Sequence, residues 1–182
     1  MEHQKYGIIY ADPPSRYVAW SKRGSGRTAE SHYANKFERN MRVAPYKALL
    51  HWTARFSYGR HSQTCWRLFK SFRHGDFIKM VAFVWVKRNR KSGSWFWGLG
   101  HWTRANAEIC LLATRGHPKR QSKRVHQIID TPIEEHSKKP DITRSRIIEL
   151  IGDLPRIELF TRQKTSGWDV WGNEVESDIQ LL

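Results

Sequence analysis

The sequence has only two cysteines among its 182 residues, Cys65 and Cys110, and they lie far apart. Such a pair gives neither a disulfide framework nor the ligand spacing of a zinc site. No apolar run approaches the roughly 20 residues that cross a bilayer as a helix. The first residues turn acidic too early for a signal peptide. These absences predict a cytoplasmic protein with no metal site and no membrane segment.

Acidic residues are also scarce. The chain has 17 Asp and Glu against 32 Lys and Arg, which gives a net charge of +15 and a pI near 10.2. A field of this sign favours polyanions, most often nucleic acid, although a merely soluble basic protein is the alternative. Hydrophobic residues make up 39% of the chain, enough at this length for one domain, residues 1–182, with a core.

The shortage of acid is complete between residues 39 and 75, which hold eight Lys and Arg and no Asp or Glu. This stretch shows neither the alternation of a strand nor the 3.6-residue period of a helix. Two interpretations stay open. It is either an insertion that faces DNA, or a stretch that is poorly ordered or not selected for this fold.

Elsewhere, apolar runs predict strands at residues 6–11, 81–86, 109–114 and 157–160, and a short fifth strand at 168–172. Residues 140–150 are predicted to form a helix, because Pro140 and Asp141 suit its start and Gly152 and Pro155 its end. Strands separated by loops and helices indicate an α/β fold. Ligands of such sheets bind beyond the carboxyl ends of the strands.

The tripeptide Asp12-Pro13-Pro14 directly follows the first predicted strand, so it lies beyond the carboxyl end of that strand, where ligands of α/β sheets bind. The amino nitrogen of adenine or cytosine is a poor nucleophile, because its lone pair is delocalised into the ring. The Asp12 carboxylate and the Pro13 carbonyl can accept hydrogen bonds from both N–H groups, and Pro14 stiffens the chain. Methyl transfer would then depend on placement and charge stabilisation. A strand that merely ends in a Pro-Pro turn is the alternative.

Three later segments complete a pattern: GHWTRANAEICLLATRG at residues 100–116, SKKPD at 137–141, and ELFTR with GWDVWGNE at 158–162 and 167–174. Together with Asp12-Pro13-Pro14 they resemble the MT-A70 family of N6-adenine methyltransferases, specifically its phage and prophage DNA enzymes. The resemblance covers residues 6–33 and 79–174. It implies a Rossmann-like fold dependent on S-adenosylmethionine, with a permuted order in which the catalytic motif precedes the main cofactor motif.

The resemblance also implies the site residues. Asp12, Pro13 and Pro14 would hold the target amino group, with Tyr17, Tyr33 and Glu108 near the target base. The cofactor would contact Ala11, Asp12, Lys139, Arg162, Asn173 and Glu174. From the residues alone, Lys139 is equally compatible with solvent exposure, Arg162 with a structural ion pair to Glu158, and Asn173 with an ordinary turn.

Two basic loops, residues 16–27 and 115–124, are predicted to flank the active-site edge and to contact phosphates, with a solvated charge run as the alternative. A base inside a duplex must be flipped out to reach Asp12. DNA is the expected partner ahead of RNA, and the sequence sets no oligomeric state. The predicted nucleic-acid contacts are Arg16, Lys22, Arg23, Arg27, Lys119, Arg120, Lys123 and Arg124.

The sequence departs from the family at two places. An aromatic residue, usually Trp, is expected where this chain has Ser15, and the lost base stacking costs about tenfold to a hundredfold in rate. Residues 34–78 do not resemble the family, and their composition fits translation in a shifted frame, in which case the fold lacks an element. The expected function is methylation of adenine N6 in DNA. The alternatives are a catalytically impaired prophage remnant that only binds DNA or cofactor, and an RNA adenine methyltransferase.

Overall fold

The computed structural model describes residues 6–12, 48–53, 76–98, 103–115, 117–135 and 138–179. These residues contain one helix, α1 (Ile142–Ile151), and seven strands in one sheet. No helix in these ranges is long and apolar enough to span a bilayer. The strands are β1 (Ile8–Ala11), β2 (Ala48–Thr53), β3 (Asp76–Arg88), β4 (Ala107–Arg115), β5 (Ile128–Pro132), β6 (Arg156–Leu159) and β7 (Asp169–Trp171).

The strand order is β5-β3-β4-β2-β1-β6-β7. Strand β1 pairs in parallel with β2 and β6, β6 with β7, and β3 with β5. Strand β4 runs antiparallel to both of its neighbours, β2 and β3. The carboxyl ends of six strands and the start of β4 therefore lie on the same side of the sheet, where the strands end, and this side is called here the Asp12 edge. The side at the other ends of the strands is called the opposite edge.

The α/β prediction is confirmed, as are the predicted strands that became β1, β3, β4, β6 and β7 and the predicted helix α1. Strand β3 starts at Asp76, earlier than expected. Strand β2 was not predicted, and it lies between β1 and β4 within residues 34–78. The sheet has a strand in this segment, and the rest of residues 34–75 lies outside the described residues, so the hypothesis of a shifted frame stays a prediction. Strand β5 was also not predicted, because Asp130 and Pro132 are untypical of strands. Both residues are tolerated in β5 because it is the outermost strand of the sheet.

Strand β1 is buried on both faces, which explains its unbroken apolar run. Its side chains alternate between two core clusters. Ile8 and Tyr10 pack with Phe83, Cys110 and the α1 residue Ile147, among others. Ile9 and Ala11 pack on the other side with Ala113, Ile157, Leu159 and Phe160. Asp12 therefore directly follows a strand that is buried throughout its length.

Helix α1 connects the two edges of the sheet. Thr143, Ile147 and Ile151, spaced four apart, are its buried side. The helix ends at Gly152, whose φ of 103° is costly for other residues. The following chain returns to the start of β1, where the Gly7 N–H donates to the Pro155 carbonyl at 2.7 Å. The residues before α1 are thereby left at the Asp12 edge.

Candidate active site

Asp12 and Lys139 form an ion pair at the Asp12 edge. The Lys139 Nζ lies 2.8 Å from Asp12 Oδ2. The Asp12 N–H also donates to the Leu159 carbonyl at 3.4 Å, which ties the residue to β6. The Lys139 side chain is only 10% exposed, whereas that of Asp12 is 31% exposed. The carboxylate is thus held from behind by a buried cation and remains accessible to a substrate.

Glu108 and Lys87 extend this pair into a row of alternating charges. The Lys139 Nζ lies 3.2 Å from Glu108 Oε2, and the Lys87 Nζ donates to Glu108 Oε1 at 2.5 Å. Glu108 lies at the start of the reversed strand β4, and Lys87 near the carboxyl end of β3. The four residues Asp12, Lys139, Glu108 and Lys87, called here the charge row, meet because β4 runs opposite to β1 and β3.

The pKa values follow from burial and from this pairing. Burial raises the pKa of Asp12, and the ion pair with Lys139 offsets only part of that rise. Burial acts on Glu108 in the same direction, but Lys139 and Lys87 outweigh it and lower the pKa of Glu108. Burial alone would lower the pKa of Lys139, whereas Asp12 and Glu108 together raise it. Lys139 is therefore a permanent cation, and Asp12 is the more easily protonated carboxylate.

Glu108 Oε2 retains the capacity to accept a hydrogen bond. It is buried, and the Lys139 ammonium 3.2 Å away offsets the cost of burying its charge. A carboxylate oxygen has two lone pairs, so Oε2 can accept a further hydrogen bond from another donor. The atom is thus suited to bind a donor group of a ligand at the Asp12 edge.

A second group of polar side chains follows β6 and β7. The Arg162 Nε lies 3.4 Å from Glu174 Oε1, and both side chains are about half exposed. Asn173 beside them is exposed. The two segments approach so closely that a Cβ on Gly172 would lie 2.0 Å from the Thr161 carbonyl oxygen. Gly172 is therefore required to place these side chains together, next to the end of β1.

The alternative that Arg162 pairs with Glu158 is wrong. Glu158 accepts two hydrogen bonds from the Arg144 guanidinium of α1, Nε to Oε2 and Nη2 to Oε1, each at 2.8 Å. Both side chains are only 9% exposed. This pair attaches α1 to β6, and Arg162 lies beyond the end of β6 at the Asp12 edge.

The sequence matches the MT-A70 family over residues 6–174. This chain belongs to the MT-A70 family. Members of the family are S-adenosylmethionine-dependent N6-adenine methyltransferases, so the α/β sheet is that of such a methyltransferase. The matched range includes residues 34–78, where no resemblance to the family was expected.

Individual relatives agree with this membership. The type II methyltransferase M.MunI of a Mycoplasma species is 32% identical over 99 residues, which are 53% of this chain and 40% of that protein. A putative N(6)-adenosine-methyltransferase MT-A70-like protein of Medicago truncatula is 26% identical over 189 residues, 98% of this chain and 28% of that protein. An MT-A70-like N(6)-adenosine-methyltransferase of Arabidopsis thaliana is 26% identical over 107 residues, 57% of this chain and 16% of that protein. The chain thus spans less than half the length of these relatives.

Several predicted site residues of this MT-A70 chain lie outside the described residues: Pro13, Pro14, Ser15, Arg16, Tyr17, Lys22, Arg23, Arg27 and Tyr33. Their roles stay predictions. Ala11 is fully buried at the end of β1. Within the ranges that the structure covers, no group of three His, Cys, Asp or Glu side chains is arranged to hold a metal ion.

The loop of residues 117–126 lies at the opposite edge of the sheet. It follows the end of β4, and its Gln121 N–H donates to the Leu150 carbonyl near the end of α1 at 2.8 Å. The prediction that this loop flanks the active-site edge is therefore wrong, because β4 runs antiparallel and carries the chain away from Asp12. Lys119, Arg120, Lys123 and Arg124 are all exposed there, and their contact with nucleic acid stays a prediction.

Two residues of the site were missed in the sequence. Lys87 directly follows the apolar run of residues 81–86. Because ligands bind beyond the carboxyl ends of parallel strands, this position indicated a site residue. Arg144 gave no such signal, because a basic residue in a helix is usually solvent-exposed. Its burial depends on Glu158, which comes 14 residues later in the chain.

Proposed function

We propose that this chain transfers a methyl group from S-adenosylmethionine to N6 of adenine in DNA. The observation that carries the proposal is the accessible Asp12 carboxylate, held by buried Lys139 at the carboxyl end of β1. The Mycoplasma relative is a type II DNA methyltransferase, which supports DNA as the substrate. The plant relatives are named as adenosine methyltransferases, which keeps RNA as the second candidate.

The residues after β6 and β7 fit the cofactor. Glu174 and Asn173 offer a carboxylate and an amide to hydroxyl and ring groups, and Arg162 is a cation beside them. Such acceptors beyond the end of a strand are typical of nucleotide sites in α/β sheets. Under this proposal the catalytic strand β1 precedes the cofactor strand β6 in sequence, which is the permuted order. S-adenosylmethionine supplies the methyl group as a sulfonium, so its transfer leaves the adenine nitrogen with a proton to lose.

Asp12 acts on the adenine amino group in its ionised form. It accepts a hydrogen bond from one N–H, which favours a pyramidal nitrogen whose lone pair is no longer delocalised into the ring. Lys139 keeps the carboxylate oriented and charged, and Glu108 Oε2 is available to a second donor of the substrate. The raised pKa of Asp12 also makes its carboxylate a suitable holder for the proton that the amino group releases.

The test is transfer of a labelled methyl group to unmethylated DNA and RNA by the wild type and Asp12→Asn. We expect transfer to DNA, reduced by roughly 10²–10³ in the variant because an oriented charged acceptor is lost. Cofactor affinity, measured alongside, separates a loss of methyl transfer from a loss of the cofactor contact that the family resemblance implies for Asp12. Asp153→Asn, which removes an 82% exposed carboxylate at the opposite edge, is the matched control and should be silent.

Two outcomes would replace the proposal. Preferential transfer to RNA would favour the RNA enzyme. Cofactor or DNA binding without any transfer would favour the impaired remnant, for which Ser15 is the first suspect. Prophage origin and a cytoplasmic location stay predictions of the sequence.

A further inference from the structure

Two tryptophans stand exposed in the hairpin that follows β3. Trp95 is 48% and Trp97 is 59% exposed, and they are the two exposed large aromatic side chains in the part of the chain whose burial the structure describes. Their ring centroids lie 6.3 Å apart, with an angle of 31° between the planes. Large aromatic surface left in water is unusual and indicates a binding site.

The hairpin holds this pair in a defined place. The Asn89 side chain donates to the Trp95 carbonyl at 3.0 Å and to Ser94 Oγ at 2.9 Å, and the Phe96 N–H donates to the Lys87 carbonyl at 2.9 Å. Gly93 closes the turn with a φ of 65°. A surface that is ordered in advance loses less entropy when a ligand binds.

The surroundings of the pair are cationic. Residues 87–107 contain five Lys and Arg and no Asp or Glu. The Arg88 guanidinium lies 5.5 Å from the centroid of the Trp95 ring and is held there by Asp130 through bonds of 2.7 and 2.6 Å. Arg90, Lys91 and Arg104 are exposed. Aromatic faces among cations suit nucleic-acid bases and phosphates. A second copy of a chain with net charge +15 would instead be repelled.

The pair also lies on the same edge as Asp12. Strand β3 ends at Arg88 on the Asp12 edge, and Lys87 beside it belongs to the charge row. Strands β4 and β2 separate β3 from β1 in the sheet, which amounts to about 14 Å between β3 and β1. A strand of nucleic acid with its target adenine at Asp12 can therefore place a neighbouring base on the tryptophans.

We propose that Trp95 and Trp97 stack on unpaired bases next to the target adenine, so that the preferred substrate is single-stranded or locally unpaired nucleic acid. In an intact duplex the faces of each base are covered by its neighbours, and only an unpaired strand offers them to a side chain. The inference rests on the proposed function for the identity of the target, but its test measures binding without methyl transfer.

The experiment compares binding of the full chain to a fluorescent single-stranded oligonucleotide and to the same sequence as a duplex, by anisotropy. Trp95→Ala and Trp97→Ala should each weaken single-strand binding by about tenfold and leave duplex binding within about twofold. Trp→Phe at each position keeps a ring and should restore most of the affinity. Ile128→Ala, which removes a 59% exposed apolar side chain far from the Asp12 edge, is the matched control.

Unchanged single-strand affinity in both alanine variants would overturn the proposal, as would equal losses for single strand and duplex. A fall in oligomeric state on sedimentation, with binding unchanged, would overturn it in favour of a surface between copies. Cofactor affinity, measured alongside, identifies variants that fail to fold, and the phenylalanine variants then decide. A wild type that binds through the tryptophans but transfers no methyl group would refute the proposed function and leave this inference standing.

Discussion

The charge row at the Asp12 edge and the basic loop of residues 117–126 both contain several cationic side chains, yet they differ in burial and in ion pairing. In the charge row, cations alternate with carboxylates at 2.5–3.2 Å, and the lysines are largely buried. In the loop, the four predicted contact residues are all exposed, and residues 117–124 contain no Phe, Tyr or Trp. Positive charge alone therefore does not locate a site in this protein, and the arrangement of the cations around carboxylates has to be known as well.

Buried ion pairs should contribute more to the free energy of unfolding than exposed ones. The buried pair of Arg144 and Glu158 allows a test. Arg144→Met leaves the Glu158 carboxylate buried without its partner, and we expect a loss of about 3–5 kcal/mol in the free energy of unfolding. Lys138→Met, which breaks partly exposed pairs with Glu134 and Asp141, should cost at most about 1 kcal/mol. Urea unfolding measures both. Equal midpoints would contradict the comparison, and Arg144→Met/Glu158→Met should recover most of the loss.

The charge row should also control the pH dependence of transfer. Asp12 acts in its ionised form, and its pKa lies above the ordinary value of an aspartate. As the pH is lowered, the rate of transfer should therefore begin to fall at a higher pH than it would with an ordinary aspartate. Lys139→Met removes the cation that lowers this pKa, and the acid limb of kcat should move up by about one to three pH units. Lys138→Met should leave the limb in place. If the acid limb of the kcat profile of Lys139→Met lay at the same pH as in the wild type, Asp12 would not be the titrating group.

Lys87 should act through Glu108 and not by contact with the substrate. Lys87→Met removes a charged hydrogen bond to Glu108, and we expect kcat/KM to fall about tenfold, the worth of one such bond. Lys87→Arg keeps the charge and should retain most of the activity. If both variants lost activity equally, the shape of the lysine, and not its charge, would be what matters.

The basic loop should show the smallest effect. Replacing Lys119, Arg120, Lys123 and Arg124 by Gln should leave kcat unchanged and should reduce the affinity for duplex only about a few-fold. Replacing Arg90 and Lys91 by Gln should reduce the affinity more for each charge that is removed. The slope of log affinity against log salt concentration should fall by about 0.9 for each lost phosphate contact. Titrations at several salt concentrations measure the slopes. If the loop variants lost more affinity for nucleic acid than the hairpin variants, nucleic acid would bind at the opposite edge.

Much of the fold was accessible to prediction, because buried strands and an amphipathic helix leave local patterns. Strand β1 was predicted from its apolar run and α1 from its ends. Strand β2 was not, because its short Ala48-Leu49-Leu50 run lies in a segment without clear periodicity. The charge row was predicted only in part, since Asp12, Lys139 and Glu108 belong to family motifs and Lys87 does not.

By itself, the sequence determined the α/β class, the MT-A70 membership and the place of Asp12 at the end of a buried strand. These properties depend on neighbouring residues, and burial patterns and motifs are written locally. Only the tertiary structure decided that Lys87 and Glu108 meet, that Arg144 belongs to Glu158, and that the basic loop lies away from Asp12. Each of these depends on the direction and order of strands distant in the chain, above all the reversal of β4, which no local pattern encodes.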